Sequence, residues 1–209
     1  MTRAYLGLGS NLAERADHLR VTLGALSRAP RTELVGISRI YETRSVEVEE
    51  EQPDYLNCVA EVECDLAAVE LLRLCQGIEV TLGRDRKGEK ARRTVDIDVL
   101  LFGEEVVDGQ DFRVPHRGIS RAYNLVGLAD LDPSVRVPGA GAVTDLFAEA
   151  DLRGVWEYGG GEKAVPATLR DRLRAGQSDG QDRRLPGTGT LEEDEDERTS
   201  TDEMYSLPG

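Results

Sequence analysis

Gly83-Arg84-Asp85-Arg86-Lys87-Gly88-Glu89-Lys90-Ala91-Arg92-Arg93-Thr94-Val95-Asp96-Ile97-Asp98-Val99-Leu100-Leu101-Phe102-Gly103 is the stretch on which the reading of this chain turns. Its first half carries six cations: Arg84, Arg86, Lys87, Lys90, Arg92 and Arg93. Its second half is a β-type run with two acids. Alternate residues of a strand share a face, so Asp96 and Asp98 stand side by side, about 6–7 Å apart along the backbone. Val95, Ile97 and Val99 turn the other way. Two carboxylates this close repel unless a cation lies between them, and a loop crowded with Arg and Lys calls for anions. Together they describe a site for a polyphosphate and a divalent metal. Mg²⁺ suits such a pair, because it takes one or two carboxylates plus phosphate oxygens and keeps several waters. Zinc does not, since the chain has only two histidines, His18 and His116, and neither adjoins the acids. Two other readings stay open on these residues alone. One is an acid/base pair of the glycosidase kind; the other is a solvated basic loop that merely pairs with its neighbouring acids.

Outward from this strand, the apolar pattern predicts an ordered series of elements. Residues 3–9 form a buried strand, and Ser10 or Asn11 is placed to cap a helix over 14–28. A strand at 33–42 and an alternating strand at 55–64 read as a hairpin pair. A helix at 66–82 ends at Gly83. Gln76 and Glu79 lie one turn apart near its end, where a surface pair is the default. With the Asp96 strand the order is β-α-β-β-α-β, an α+β fold with a ferredoxin-like core. A C-terminal hairpin turning at Asp108-Gly109, a helix over 119–130, an extended piece from Val135 and short helices at 143–150 and 166–175 are added to it. Residues 1–150 form the main domain, 151–175 an extension with a short helix, and 176–209 an acidic tail. That tail holds ten acids against three arginines and few apolar residues, so it is expected to be disordered.

Composition narrows the function. The net charge of −14 argues against nucleic acid as a partner, and makes the basic cluster a local reversal of sign. No run of apolar residues is long enough for a membrane span. The first residues enter a strand without signal-peptide organisation, and the three cysteines form no metal-ligand spacing. A cytoplasmic location is expected. No Gly-x-x-x-x-Gly-Lys-Ser/Thr sequence is present, which excludes a P-loop enzyme.

Several short motifs occur in a recognisable order: Ala4-Tyr-Leu-Gly-Leu-Gly-Ser-Asn11, Tyr41-Glu-Thr43, Gln52-Pro-Asp-Tyr-Leu-Asn57, Gly83-Arg84, Arg93-Thr-Val-Asp96-Ile-Asp98-Val-Leu-Leu-Phe-Gly103 and Val114-Pro-His116. Over about residues 1–150 the chain resembles the 6-hydroxymethyl-7,8-dihydropterin pyrophosphokinases of folate biosynthesis. The resemblance implies transfer of a pyrophosphoryl group from ATP to the pterin hydroxymethyl oxygen, with release of AMP. It implies two Mg²⁺ ions held by Asp96 and Asp98, and phosphate contacts and catalytic charge stabilisation from Arg84 and Arg93. Gln76, Glu79, Val99, His116 and Arg121 match nucleotide positions as well. Thr43, Tyr55, Asn57, Asp96 and Tyr123 match the pterin pocket, with Tyr123 where a stacking Phe is usual. Lys90-Ala-Arg-Arg93 departs from the family pattern, being shorter and without Trp or Pro. The alternative it leaves open is a nucleotide- or pterin-binding homologue with weak or altered transfer. The partners expected are small molecules only, and the chain is expected to act as a monomer.

Overall fold

The structure, a computed structural model, describes residues 1–12, 14–44, 53–83 and 94–159. Arg84, Arg93 and the basic loop between them lie outside the described residues, as do the helix expected at 166–175 and the acidic tail. The elements run β1 (Thr2–Ser10), α1 (Arg15–Leu26), β2 (Thr32–Ile37), β3 (Tyr41–Thr43), β4 (Tyr55–Cys64), α2 (Ala68–Thr81), β5 (Asp96–Phe102), β6 (Val107–Asp108), β7 (Arg113–Val114), α3 (Ala122–Leu131), β8 (Arg136–Val137), β9 (Gly141–Ala142), α4 (Val143–Glu149) and β10 (Val155–Glu157). This is a mixed α/β fold with an antiparallel main sheet and, among the described residues, four helices.

The main sheet has the order β10-β3-β4-β1-β5, with β2 also paired to β4. β1 lies inside it, between β4 and the edge strand β5, and its Ala-Tyr-Leu-Gly-Leu run is buried on both faces. One face carries Ala4, Leu6, Leu8, Cys58, Ala60, Val62, Val95, Ile97 and Val99. These pack on Leu19, Leu23 and Leu26 of α1 and on Leu71 and Cys75 of α2. The opposite face carries Tyr5, Val59, Leu100 and Leu101, covered by Leu128, Ala129 and Leu131 of α3. A register shift between β1 and β5 at Tyr5/Leu6 leaves Leu100 without a cross-strand partner. Both Leu100 and Leu101 thereby join the α3 side. Gly127 lets α3 come this close, since a Cβ there would lie 2.4 Å from Val59 Cγ2.

The structure differs from the sequence expectations in three places. The strand expected at 33–42 is two strands, β2 and β3. At the break, Ser38 N donates to Val59 O (2.8 Å) and Val59 N donates to Ser38 Oγ (2.8 Å), so one hydroxyl stands in for a ladder partner. Arg39 leaves the sheet line to hold α3: its N–H donates to Asp130 Oδ2 (2.7 Å) and its Nε to Oδ1 (3.0 Å). Ser10 does not cap α1, whose N-cap Glu14 makes no side-chain cap bond. The strand continues through Ser10, and its hydroxyl donates to Thr94 O at 2.7 Å. A strand was not anticipated at 155–157; β10 adds to the main sheet beside β3. No helix among the described residues is long and apolar enough to cross a membrane.

Candidate active site

Residues opposite one another in antiparallel strands share a face. The register therefore places Asp96, Gly9, Asn57 and Tyr41 in one lateral row across β5, β1, β4 and β3. The neighbouring row runs Asp98, Gly7, Val59. Asp96 and Asp98 stay partly exposed, while Val95, Ile97 and Val99 between and beside them are buried on the other face. The two acids do stand on one side of the strand.

Between the acids and Asn57 the floor is glycine. A Cβ at Gly9 would meet Asn57 Oδ1 at 3.0 Å, and one at Gly7 would meet Asn124 Oδ1 at 3.2 Å. Glycine at alternate positions of a central strand weakens it, and marks a place where another group comes close to the backbone. That signal was available in Gly7-Leu8-Gly9, but the sequence reading takes those residues only as part of a buried strand over 3–9. Asn57 Nδ2 donates to Thr43 Oγ1 at 2.9 Å, which fixes the amide and leaves Oδ1 over Gly9. Thr43 pairs with Tyr55 across β3 and β4, so Thr43, Tyr55 and Asn57, three of the five residues expected at a pterin pocket, lie at neighbouring positions of the sheet.

The β7–α3 connection supplies the next group. His116 N donates to Leu100 O (2.9 Å), and Gly118 N donates to His116 Nδ1 (3.2 Å). An accepting Nδ1 puts the proton of the neutral ring on Nε2, which faces Asp98 Oδ1 at 3.8 Å. Asn124 Nδ2 donates to Gly118 O (2.9 Å) and holds the same turn. Arg121, at the N-cap of α3, donates from Nη1 to Tyr123 OH at 3.0 Å. Burial pushes the Tyr123 phenol up and Arg121 opposes it, while Asp98 and Asp96 push it further in the same direction as burial. Tyr123 therefore feels both acids.

A cavity of about 370 Å³ opens beside Asp98, lined by Leu72 of α2, Val99, Phe112, Arg113 and His116 among others. Its size falls in the range that holds a small-molecule cofactor. The two helix positions expected near a nucleotide behave differently. Gln76 is exposed. Glu79 is not on the surface: it is 2% exposed, and its Oε1 accepts the Ile97 N–H at 2.8 Å. β5 is an edge strand, and Ile97 N–H lies between the two acids, so Glu79 fixes the backbone that carries them.

Among the described residues, no group of three or more His, Cys, Asp or Glu side chains converges. A metal here would rest on Asp96 and Asp98, with its remaining positions filled by water and substrate oxygens. That donor set fits Mg²⁺ and not structural zinc.

A match to the family described as 7,8-dihydro-6-hydroxymethylpterin-pyrophosphokinase (HPPK) spans residues 5–133. The chain is 38% identical over 154 residues to a 2-amino-4-hydroxy-6-hydroxymethyldihydropteridine pyrophosphokinase of Pseudomonas aeruginosa, covering 73% of this chain and 94% of that one. A Bacillus subtilis protein of the same name is 37% identical over 143 residues, covering 68% and 85%. The fold also matches a crystal structure of Plasmodium falciparum HPPK-DHPS with pteroate, at a TM-score of 0.57 and 13% identity. That match covers 70% of this chain and 44% of the longer Plasmodium chain, and at this identity it speaks for the fold alone. With the acid pair, the glycine floor and the Asn57 amide all inside the matched region, the chain belongs to the 7,8-dihydro-6-hydroxymethylpterin-pyrophosphokinase family.

Proposed function

We propose that this protein transfers the β,γ-pyrophosphoryl group of ATP to the hydroxymethyl oxygen of 6-hydroxymethyl-7,8-dihydropterin, giving AMP and the pterin diphosphate for folate biosynthesis. The observation that carries the reading is the row Asp96–Gly9–Asn57, which sets acids and a hydrogen-bonding amide on either side of an open strand. The pterin lies on the Gly7/Gly9 floor, its polar edge against Asn57 and Thr43, with Tyr55 and Tyr123 beside it. The nucleotide takes the cavity beside Asp98, with Val99 and His116 in its wall and Gln76 at its margin. Arg121 contacts its phosphates, and Arg84 and Arg93 are assigned the same role by the family resemblance alone. The hydroxymethyl oxygen attacks the β-phosphorus as the bond from that phosphorus to the α,β-bridging oxygen breaks. AMP leaves with the bond's electrons, and the hydroxyl proton passes to solvent.

Asp96 and Asp98 would hold two Mg²⁺ ions, whose charge would offset that of the phosphates. The chain's own groups do the positioning that dominates phosphoryl-type transfer. His116 presents an N–H toward the Asp98 side, and Glu79 keeps the strand between the acids in place. The split β2/β3 pair, β4, β1 and β5 with α1 and α2 support reading the core as ferredoxin-like, with residues 1–150 as its catalytic unit. Three free, buried cysteines suit a reducing cytoplasm, and small-molecule chemistry needs no second copy of the chain.

The test is incubation of the protein with ATP, Mg²⁺ and the pterin, with AMP and the pterin diphosphate as products. Asp98→Ala is expected to lower kcat/KM by about 100-fold or more while the circular dichroism spectrum stays unchanged. Absence of AMP at every Mg²⁺ concentration sinks the transferase reading. Tight binding of Mg²⁺–ATP without turnover would point instead to a binding homologue.

A further inference from the structure

β10 lies beyond residue 133, where the family match ends, yet it is hydrogen-bonded to the strand that carries Thr43. Val155 pairs with Thr43, Trp156 with Glu42 and Glu157 with Tyr41. The ladder extends past both ends of β3: Arg44 N donates to Gly154 O (3.1 Å) and Tyr158 N donates to Ile40 O (2.8 Å). Without β10 the short strand β3 would be the sheet edge, held on one side only by β4.

Side chains grip β3 from both faces. On the Thr43 face, Val155 is 5% exposed and packs with Tyr41, with Leu125 and Val126 of α3, and with Phe147 and Leu152; Tyr123 packs against the same cluster. The two residues on opposite sides of the pterin site, Thr43 and Tyr123, are thus tied together through the C-terminal segment. On the other face, the Arg44 guanidinium lies over the Trp156 ring, 5.9 Å from its centroid. Arg15 pairs there with Glu42 (2.9 Å) and also donates to Asp54 O, so it joins β3 itself to the chain entering β4.

We propose that β10 sets the acceptor half of the active site, with Trp156 and Val155 as positioning residues that act through Arg44 and β3 on Thr43 and its partner Asn57. The inference rests on the pterin reading above and adds to it an element outside the matched family region. The nucleotide half, built on β5, α2 and the β6–β7 hairpin, makes no part of this arrangement. The effect must therefore fall on the acceptor and spare the nucleotide.

The experiment uses the full chain as wild type, Trp156→Ala and Trp156→Phe. Phe keeps an aromatic face for Arg44, and Ala removes it. Calorimetry measures pterin binding in the presence of Mg²⁺ and a non-hydrolysable ATP analogue, and binding of that analogue alone. Loss of the stacked face is expected to weaken pterin binding about three- to fivefold in Trp156→Ala, with Trp156→Phe within about twofold of wild type. Analogue binding stays unchanged in both. Steady-state KM for the pterin should move with the calorimetric value, and KM for ATP should not. Equal weakening of both ligands, or pterin binding in Trp156→Ala equal to wild type, overturns the assignment of β10. A wild-type protein that binds no pterin overturns the pterin reading itself, and this proposal with it.

Discussion

Glu79 shows how much one buried carboxylate can decide. A Glu is rarely this buried without partners, because desolvating its charge is costly. Here its Oε1 answers the edge N–H of Ile97, midway between Asp96 and Asp98. If its work is to accept that hydrogen bond, the amide isostere should do most of it. Glu79→Gln is expected to keep activity within a few-fold. Glu79→Ala leaves a buried donor unpaired at a cost of about 1–3 kcal/mol, and should lower kcat/KM by about tenfold or more. Hydrogen exchange of the Ile97 amide should speed up in the alanine variant only. Equal loss in both variants would mean that the negative charge, and not the acceptor, is what the site needs. Spacing places Glu79 near the C-terminal end of α2, but cannot show which way a helical side chain turns once α2 docks on β5. Asp96 and Asp98 were easier, because the period of two in a strand fixes their common face wherever the strand lies.

Among the elements, β1 and α3 shape the site by what they omit. β1 turns Gly7 and Gly9 to the side of the acids, Gly7 under Asn124 and Leu100, and Leu6 and Leu8 into the core, so a single strand is both floor and keel. α3 covers the far end of that face and stops short of the acids. Its approach to β4 depends on Gly127. An alanine there would put its Cβ 2.4 Å from Val59 Cγ2 and 3.0 Å from Val59 Cβ, too close without a shift of helix or strand. Gly127→Ala is accordingly expected to destabilise the fold by about 1–3 kcal/mol, read as a fall of several degrees in Tm. An unchanged Tm would show that α3 slides freely over the sheet. The helices and the β4 strand were legible from apolar spacing, and β4 matches its expected span. The break that divides the expected 33–42 strand into β2 and β3 was not, and neither was β10. The break at Ser38 comes from a side-chain hydroxyl entering the ladder, and β10 is a short piece whose only reason to be a strand is the free edge of β3.

The whole molecule adds a constraint that no single site reveals. All three cysteines are free and buried, and burial pushes the thiols of Cys58 and Cys75 up to about 12. Burial likewise raises the Tyr5 phenol to about 12, aided by Glu61. In the unfolded chain these thiols ionise near 9.0. The stability tied to them is fully present below that pH. It is lost as pH rises toward 12, because only the unfolded chain gives up its protons. Each thiol should remove roughly 1 kcal/mol per pH unit in that window. Urea midpoints at about pH 8 and about pH 10.5 measure the loss, and cysteine reagents should label the native protein only after unfolding. A midpoint that holds steady between the two would mean that the thiols are solvated in the fold.

By itself the sequence determined that Asp96 and Asp98 share a face, since strand period acts locally. A basic loop leading into that pair is the pattern from which a metal and polyphosphate are expected. The sequence also determined the order of the main helices and strands, because apolar periodicity needs no knowledge of partners. Only the tertiary structure decided which groups share the site with those acids. The antiparallel register brings Gly9 and Asn57 alongside Asp96 from residues far apart in the chain. Docking of α2 and α3 turns Glu79 inward and His116 toward Asp98. Those contacts join distant segments, and their geometry is fixed only when the core closes around β1.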